Sequence, residues 1–160
     1  MDFFLPCWIA LSTIFTDAPS KSYFHKVSKT FASRMQVCST IAKEASKESV
    51  DPVLAISIAA TESGFLSNLT SSKGAKGPLG VIPKYHCPKK GKCDYIKAGI
   101  RAIQKVSDIR PDDLCSALAV YNRGLEEGRC KEGRSEYYYA MTVMDTYDKI
   151  CSATDLCKRC

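Results

Sequence analysis

The stretch Asp51-Pro52-Val53-Leu54-Ala55-Ile56-Ser57-Ile58-Ala59-Ala60-Thr61-Glu62-Ser63-Gly64-Phe65 decides how this chain folds and where its chemistry is to be sought. Asp51 is of the type that caps a helix, because its carboxylate accepts from the unpaired N–H groups of the first turn. Pro52 suits that turn, where its missing N–H is not needed. Gly64 suits the left-handed residue that follows a last turn. The reading is a buried helix with one carboxylate, Glu62, in its final turn and no acidic neighbour downstream until Asp94. The helix C-terminus carries partial negative charge and the apolar flank solvates ions poorly, so both disfavour an ionised Glu62. An acid that keeps its proton near neutral pH is what protonation of a glycosidic oxygen requires. A solvated glutamate at a helix end is the plainer reading of this fragment, and the rest of the chain has to decide.

Downstream lie Gly74-Ala75-Lys76-Gly77-Pro78-Leu79-Gly80-Val81-Ile82-Pro83, then Tyr95-Ile96-Lys97-Ala98-Gly99-Ile100, Ala119-Val120-Tyr121-Asn122-Arg123-Gly124 and Tyr139-Ala140-Met141-Thr142-Val143. With Glu62-Ser63-Gly64-Phe65 ahead of them, these blocks resemble in order and spacing the lytic transglycosylases of the SLT, lysozyme-like family, over about residues 31 to 147. Each block is short, and their order carries the resemblance. It implies a mainly α fold of the α+β lysozyme-like kind, a helical domain with a small irregular or hairpin lobe flanking a glycan cleft. It implies Glu62 as the catalytic acid, and Ser63, Gly77, Leu79, Tyr121, Asn122 and Tyr139 as substrate-binding residues. Gly74 and Gly77 would let backbone approach a sugar. Gly80 stands where the family usually has glutamine, which removes one amide that would hydrogen-bond substrate.

The reaction class follows from what is missing. Glycosidases that use water or a covalent intermediate normally need a second carboxylate about 5 to 9.5 Å from the first. Residues 63 to 93 contain no Asp or Glu. By resemblance, Glu62 would protonate the β-1,4 oxygen between N-acetylmuramic acid and N-acetylglucosamine of peptidoglycan. It would then act as base on the muramic acid's own C6 hydroxyl, with no metal and no organic cofactor. A hydrolytic muramidase would need Asp94, Glu126 or Glu127 to fold back to the cleft. A glycan-binding or assembly protein that has lost turnover is the alternative from outside enzymology.

The 160 residues, 45% hydrophobic and 25% charged, suffice for one domain with a proper core. A net charge of +6 favours an anionic partner, but the basic residues are scattered and match no nucleic-acid-binding pattern. The expected partners are peptidoglycan strands, with a secretion, conjugation or phage assembly around them, and the expected state is a monomer. Phe3 to Phe15 has no charge and is too short to cross a bilayer. Residues 1–18 read as a signal peptide cleaved near Thr16-Asp17-Ala18 or as a hydrophobic arm, leaving 19–160 as the domain. Of nine cysteines, Cys7 falls in that segment, and Cys38, Cys87, Cys93, Cys115, Cys130, Cys151, Cys157 and Cys160 form an even set. Such density indicates disulfides and an extracytoplasmic place: periplasm, secreted, or on a virion. The most local pair is Cys87 with Cys93. Zinc is the competing reading for Cys157-Lys158-Arg159-Cys160 with His86-Cys87, although a second CxxC knuckle is missing.

Apolar spacing of three and four predicts a helix over about 29–47 with Phe31, Met35, Cys38, Ala42 and Ala45 on one face. Further helices are predicted over about 94–107, from near Pro111 through Tyr121, and over about 135–150. The glycine- and proline-rich segment from Ser67 to Lys92 reads as loop or short hairpin.

Overall fold

The computed structural model describes residues 2–15 and 21–157, with 21–29 by backbone alone. The chain is mainly helical: α1 (Phe4–Ile14), α2 (Lys21–Lys47), α3 (Pro52–Ser63), α4 (Pro83–His86), α5 (Tyr95–Ile109), α6 (Leu114–Arg123) and α7 (Ser135–Ala153). The apolar periodicity marks α2, α3, α5, α6 and α7. The uncharged N-terminal stretch supplies α1, and α4 is a single turn inside the segment expected to be loop. Among the described residues no strand forms; two isolated antiparallel bridges, Thr70 with Lys76 and Lys76 with Val81, are all that remains of a hairpin.

The centre of the molecule is α3. Its apolar residues surround its whole circumference, a pattern stable only when a helix is enclosed, and α1, α2 and α7 enclose it. Val53, Ile56 and Ile58 are fully buried there, against a core that includes Ile41, Leu118, Val143 and Ile150. Burial of each such side chain contributes about 1.5–3 kcal/mol. At the N-terminus of α3, Asp51 accepts from the N–H groups of Val53 at 2.8 Å and Leu54 at 3.3 Å. At the other end Gly64 adopts the left-handed conformation at φ 56° and closes the helix. Phe65 follows at φ 66° while almost wholly buried. A bulky residue there carries strain of order 1–3 kcal/mol, and its burial holds it.

Among the described residues four disulfides form, Cys7–Cys38, Cys87–Cys93, Cys115–Cys130 and Cys151–Cys157, of which the first joins two helices, α1 and α2. The local Cys87–Cys93 pair is the one expected. The grouping of the others is not, since Cys38 is bonded to Cys7 instead of to one of the seven cysteines that follow it. The reason is packing: α1 lies on α2, α3 and α7, with Cys7, Ala10 and Leu11 fully buried. The cleavage motif Thr16-Asp17-Ala18 and Cys160 lie outside the described residues. Four disulfides belong to an oxidising, extracellular kind of environment. Among the described residues no helix is long and apolar enough to cross a membrane.

Candidate active site

Four parts of the chain meet at Glu62: the last turn of α3, the loop over residues 69–81, the end of α6 and the first half of α7. The loop is closed by Lys76 N–H donating to the Val81 carbonyl at 2.7 Å and Val81 N–H donating to the Lys76 carbonyl at 2.9 Å. The turn between them, Gly77 to Gly80, is held from three sides. Ser63 Oγ donates to the Pro78 carbonyl at 2.8 Å, with the Ala59 carbonyl at 3.2 Å. Tyr121 donates its O–H to the Leu79 carbonyl at 2.6 Å. The Leu79 side chain is fully buried over Gly99 of α5.

This clamping sets Gly80 against the carboxyl of Glu62. A Cβ at position 80 would stand 2.8 Å from Glu62 Cδ, closer than real Cβ contacts come, and the backbone there has φ +62°. The conformation favours glycine, and any side chain there would have to push the Glu62 carboxyl aside. The other oxygen, Oε1, accepts from the Tyr139 hydroxyl at 2.8 Å. The carboxyl is therefore half-buried, bonded to a phenol on one side and pressed on bare backbone on the other.

Burial raises the proton affinity of Glu62 above that of an ordinary carboxyl, and the Tyr139 hydrogen bond opposes part of that rise by favouring the ion. Tyr139 and Tyr121 are held as neutral phenols, first by burial and then by the charge of Glu62 nearby. The site is thus one carboxyl inclined to keep its proton beside two hydroxyls that keep theirs. It can donate a proton to a basic oxygen and take one back.

Among the expected site residues, Glu62, Ser63, Leu79, Tyr121 and Tyr139 come together in this cluster. Ser63 and Leu79 are buried and spend their polar groups on holding the loop. Gly77 packs on Tyr95, whose Cβ would be 2.7 Å from a Cβ at 77. Asn122 is exposed at the end of α6, beside the cluster in sequence. Of the three carboxylates a hydrolase would need to borrow, Asp94 caps α5 through the N–H groups of Ile96 and Lys97, both at 3.1 Å. Glu126 and Glu127 line a polar cavity of about 280 Å³ with Arg123, Arg129, Arg134 and Glu136. The cysteines on which a zinc reading would draw, Cys87 and Cys157, are disulfide-bonded.

Two supports of the site had no sequence signal. Arg34 of α2 donates to the Gly64 carbonyl at 3.0 Å while its guanidinium lies 5.1 Å over the Phe15 ring. Ile14, at the end of α1, also faces Gly64. One arginine among scattered basic residues announces nothing until its partner is known. Comparison with models of protein families, with curated proteins and with solved structures finds no match to this chain.

Proposed function

We propose that this protein is a peptidoglycan lytic transglycosylase with a lysozyme-like arrangement of lobes, Glu62 serving as its sole acid and base. One observation carries the reading: a single carboxyl at the end of a buried helix, its proton affinity raised by burial, bonded to one phenol and set against a glycine loop. In the first step Glu62 gives its proton to the glycosidic oxygen, and the bond to the muramic acid's C1 breaks. In the second the Glu62 carboxylate takes the proton of the C6 hydroxyl as that oxygen closes on C1, so the 1,6-anhydro ring forms without water. Tyr139 stabilises the carboxylate between the two steps by its hydrogen bond. Tyr121 holds the loop, and Asn122 offers an amide to an N-acetyl group. The four disulfides agree with action outside the cytoplasm, as a local opener of the wall for a secretion, conjugation or phage machine.

Gly80 favours one second reading, a wall-binding protein without turnover, because the position that would carry a substrate-facing amide is filled by the acid itself. The test is digestion of purified peptidoglycan by the full chain and by Glu62→Gln, with muropeptides weighed by mass spectrometry. Anhydro products from the wild type and none from the variant are expected. Reducing ends would replace the lyase with a hydrolase. Wall binding by both proteins with no product from either would replace it with the binding module.

A further inference from the structure

The connection between α6 and α7 is built as an arch on the outside of α6. Cys130 is tied to Cys115 in the first turn of that helix. Gly128 is buried on the helix backbone, where a Cβ would come within 2.6 Å of the Val120 Cα and the Ala119 oxygen, and its N–H donates to the Gly124 carbonyl at 2.9 Å. Under the arch opens a groove of about 620 Å³, lined by Arg110, Ser116, Arg129, Cys130, Lys131 and Arg134 among others, and by no carboxylate. That is room for more than one phosphate group.

The cations around it are poorly spent within the chain. Arg134 pairs with Glu136 at 3.3 Å, but no carboxylate among the described residues lies within ion-pair distance of Arg110, Arg129 or Lys131. The bonds of Arg110 and Arg129 go to the carbonyls of the preceding residues, at 3.3 and 3.4 Å. Asp113 lies close enough to feel the Arg110 charge without pairing with it, and its carboxylate accepts from the N–H of Ser116 at 2.9 Å and from the Ser116 hydroxyl. Glu126 and Glu127 line the neighbouring cavity, which shares Arg129 and Arg134 with this groove. A disulfide-braced groove lined by four cations and no carboxylate, with space for a chain, is matched by a ligand whose negative charges repeat along its length.

We propose that this groove binds a phosphodiester polymer, of the poly(glycerol phosphate) kind found in cell walls. The phosphate chemistry stands on the groove, and the choice of a wall polymer rests on the reading of Glu62 above. The site would hold the enzyme on the wall while Glu62 works elsewhere on the molecule.

The test is fluorescence anisotropy of a labelled short poly(glycerol phosphate) with the full chain carrying Glu62→Gln, so that turnover plays no part. Three to four phosphate contacts predict a slope of about −2 to −3 in the logarithm of affinity against that of salt. Arg129→Glu with Lys131→Glu is expected to weaken binding at least tenfold. Lys43→Glu with Lys89→Glu, an equal charge change at exposed positions elsewhere, leaves it within twofold, and melting curves confirm that both double variants fold. Equal loss in the two double variants would assign the binding to net charge and overturn the groove. No binding, competition by inorganic phosphate at concentrations matching the polymer's repeat units, or tighter binding of oligothymidylate would each overturn the proposed ligand. Failure here leaves the digestion result untouched, and the reverse also holds.

Discussion

At the scale of the residue, Glu62 shows how a carboxyl can be made to hold a proton with no second acid to repel it. Burial does the work, and Tyr139 limits it. Removing the Tyr139 hydroxyl removes the influence that favours the ion, so Tyr139→Phe should raise the proton affinity of Glu62 further. A ¹³C carboxyl titration of the two proteins reads this directly, and the alkaline limb of any lytic activity should move to higher pH with it. The same shift affects stability. Because the folded-state affinity lies above that of the unfolded chain, the contribution of Glu62 is fully present below the usual carboxyl value. It is lost as pH rises through the folded value. Glu62→Gln should therefore melt above the wild type at pH 7, the two converging below about pH 4, where the unfolded carboxyl, of pKa about 4.3, is largely protonated. A lower titration point for Tyr139→Phe, or a constant melting difference across that range, would remove the electrostatic account of the site.

At the scale of the element, α3 was legible because its signals are local: a capping acid, a proline in the first turn, a continuous apolar run and a glycine where the chain must turn left-handed. Each acts within four residues, so the sequence displays them. The loop facing it was legible only as a loop. Gly80 reads in sequence as a lost amide; its positive role, leaving room for the Glu62 carboxyl, depends on a contact between segments eighteen residues apart, as their numbering shows. Ser63 and Leu79 read as substrate-facing and turn inward for the same reason, since no local pattern says which side of a turn is buried. Caps also differ in what else they hold. Asp51 accepts from two N–H groups of α3 and, at 2.8 Å, from the Tyr147 hydroxyl of α7, whereas the bonds of Asp94 are to its own helix. Losing a cap costs about 1 kcal/mol and losing the added hydrogen bond about 1 more. Asp51→Ala should then cost about 2 kcal/mol, a fall in Tm of roughly 4–8 °C, against about half that for Asp94→Ala. Equal falls in a thermal melt would show that the link to α7 contributes nothing.

At the scale of the whole molecule, the N-terminal helix is the part that sequence composition reads least well. An uncharged stretch of that length fits an exported leader and a packed arm equally, because both are simply apolar. Here α1 closes the α2–α3–α7 core, and Cys7 joins Cys38 across a separation of 31 residues. Its far end reaches the site: Ile14 faces Gly64, and Phe15 lies under the Arg34 guanidinium that bonds the Gly64 carbonyl two residues beyond Glu62. The helix therefore braces the turn that carries the acid. On the chain-entropy account, closing a loop of that size is worth roughly 3–4 kcal/mol, so Cys7→Ser with Cys38→Ser should lower the Tm by about 7–14 °C. Cys151→Ser with Cys157→Ser, whose separation is 6, should cost less. A chain starting at residue 19 should lose more than the first pair, because it also uncovers the core beneath Ala10 and Leu11. Its amides at Gly64 and Phe65 should exchange with deuterium faster than those at the start of α3, where Asp51 and Tyr147 are untouched. If the shortened chain melts with the full one and protects Gly64 and Phe65 equally, α1 is a passenger and the acid's geometry is set by α3, the loop and α7 alone.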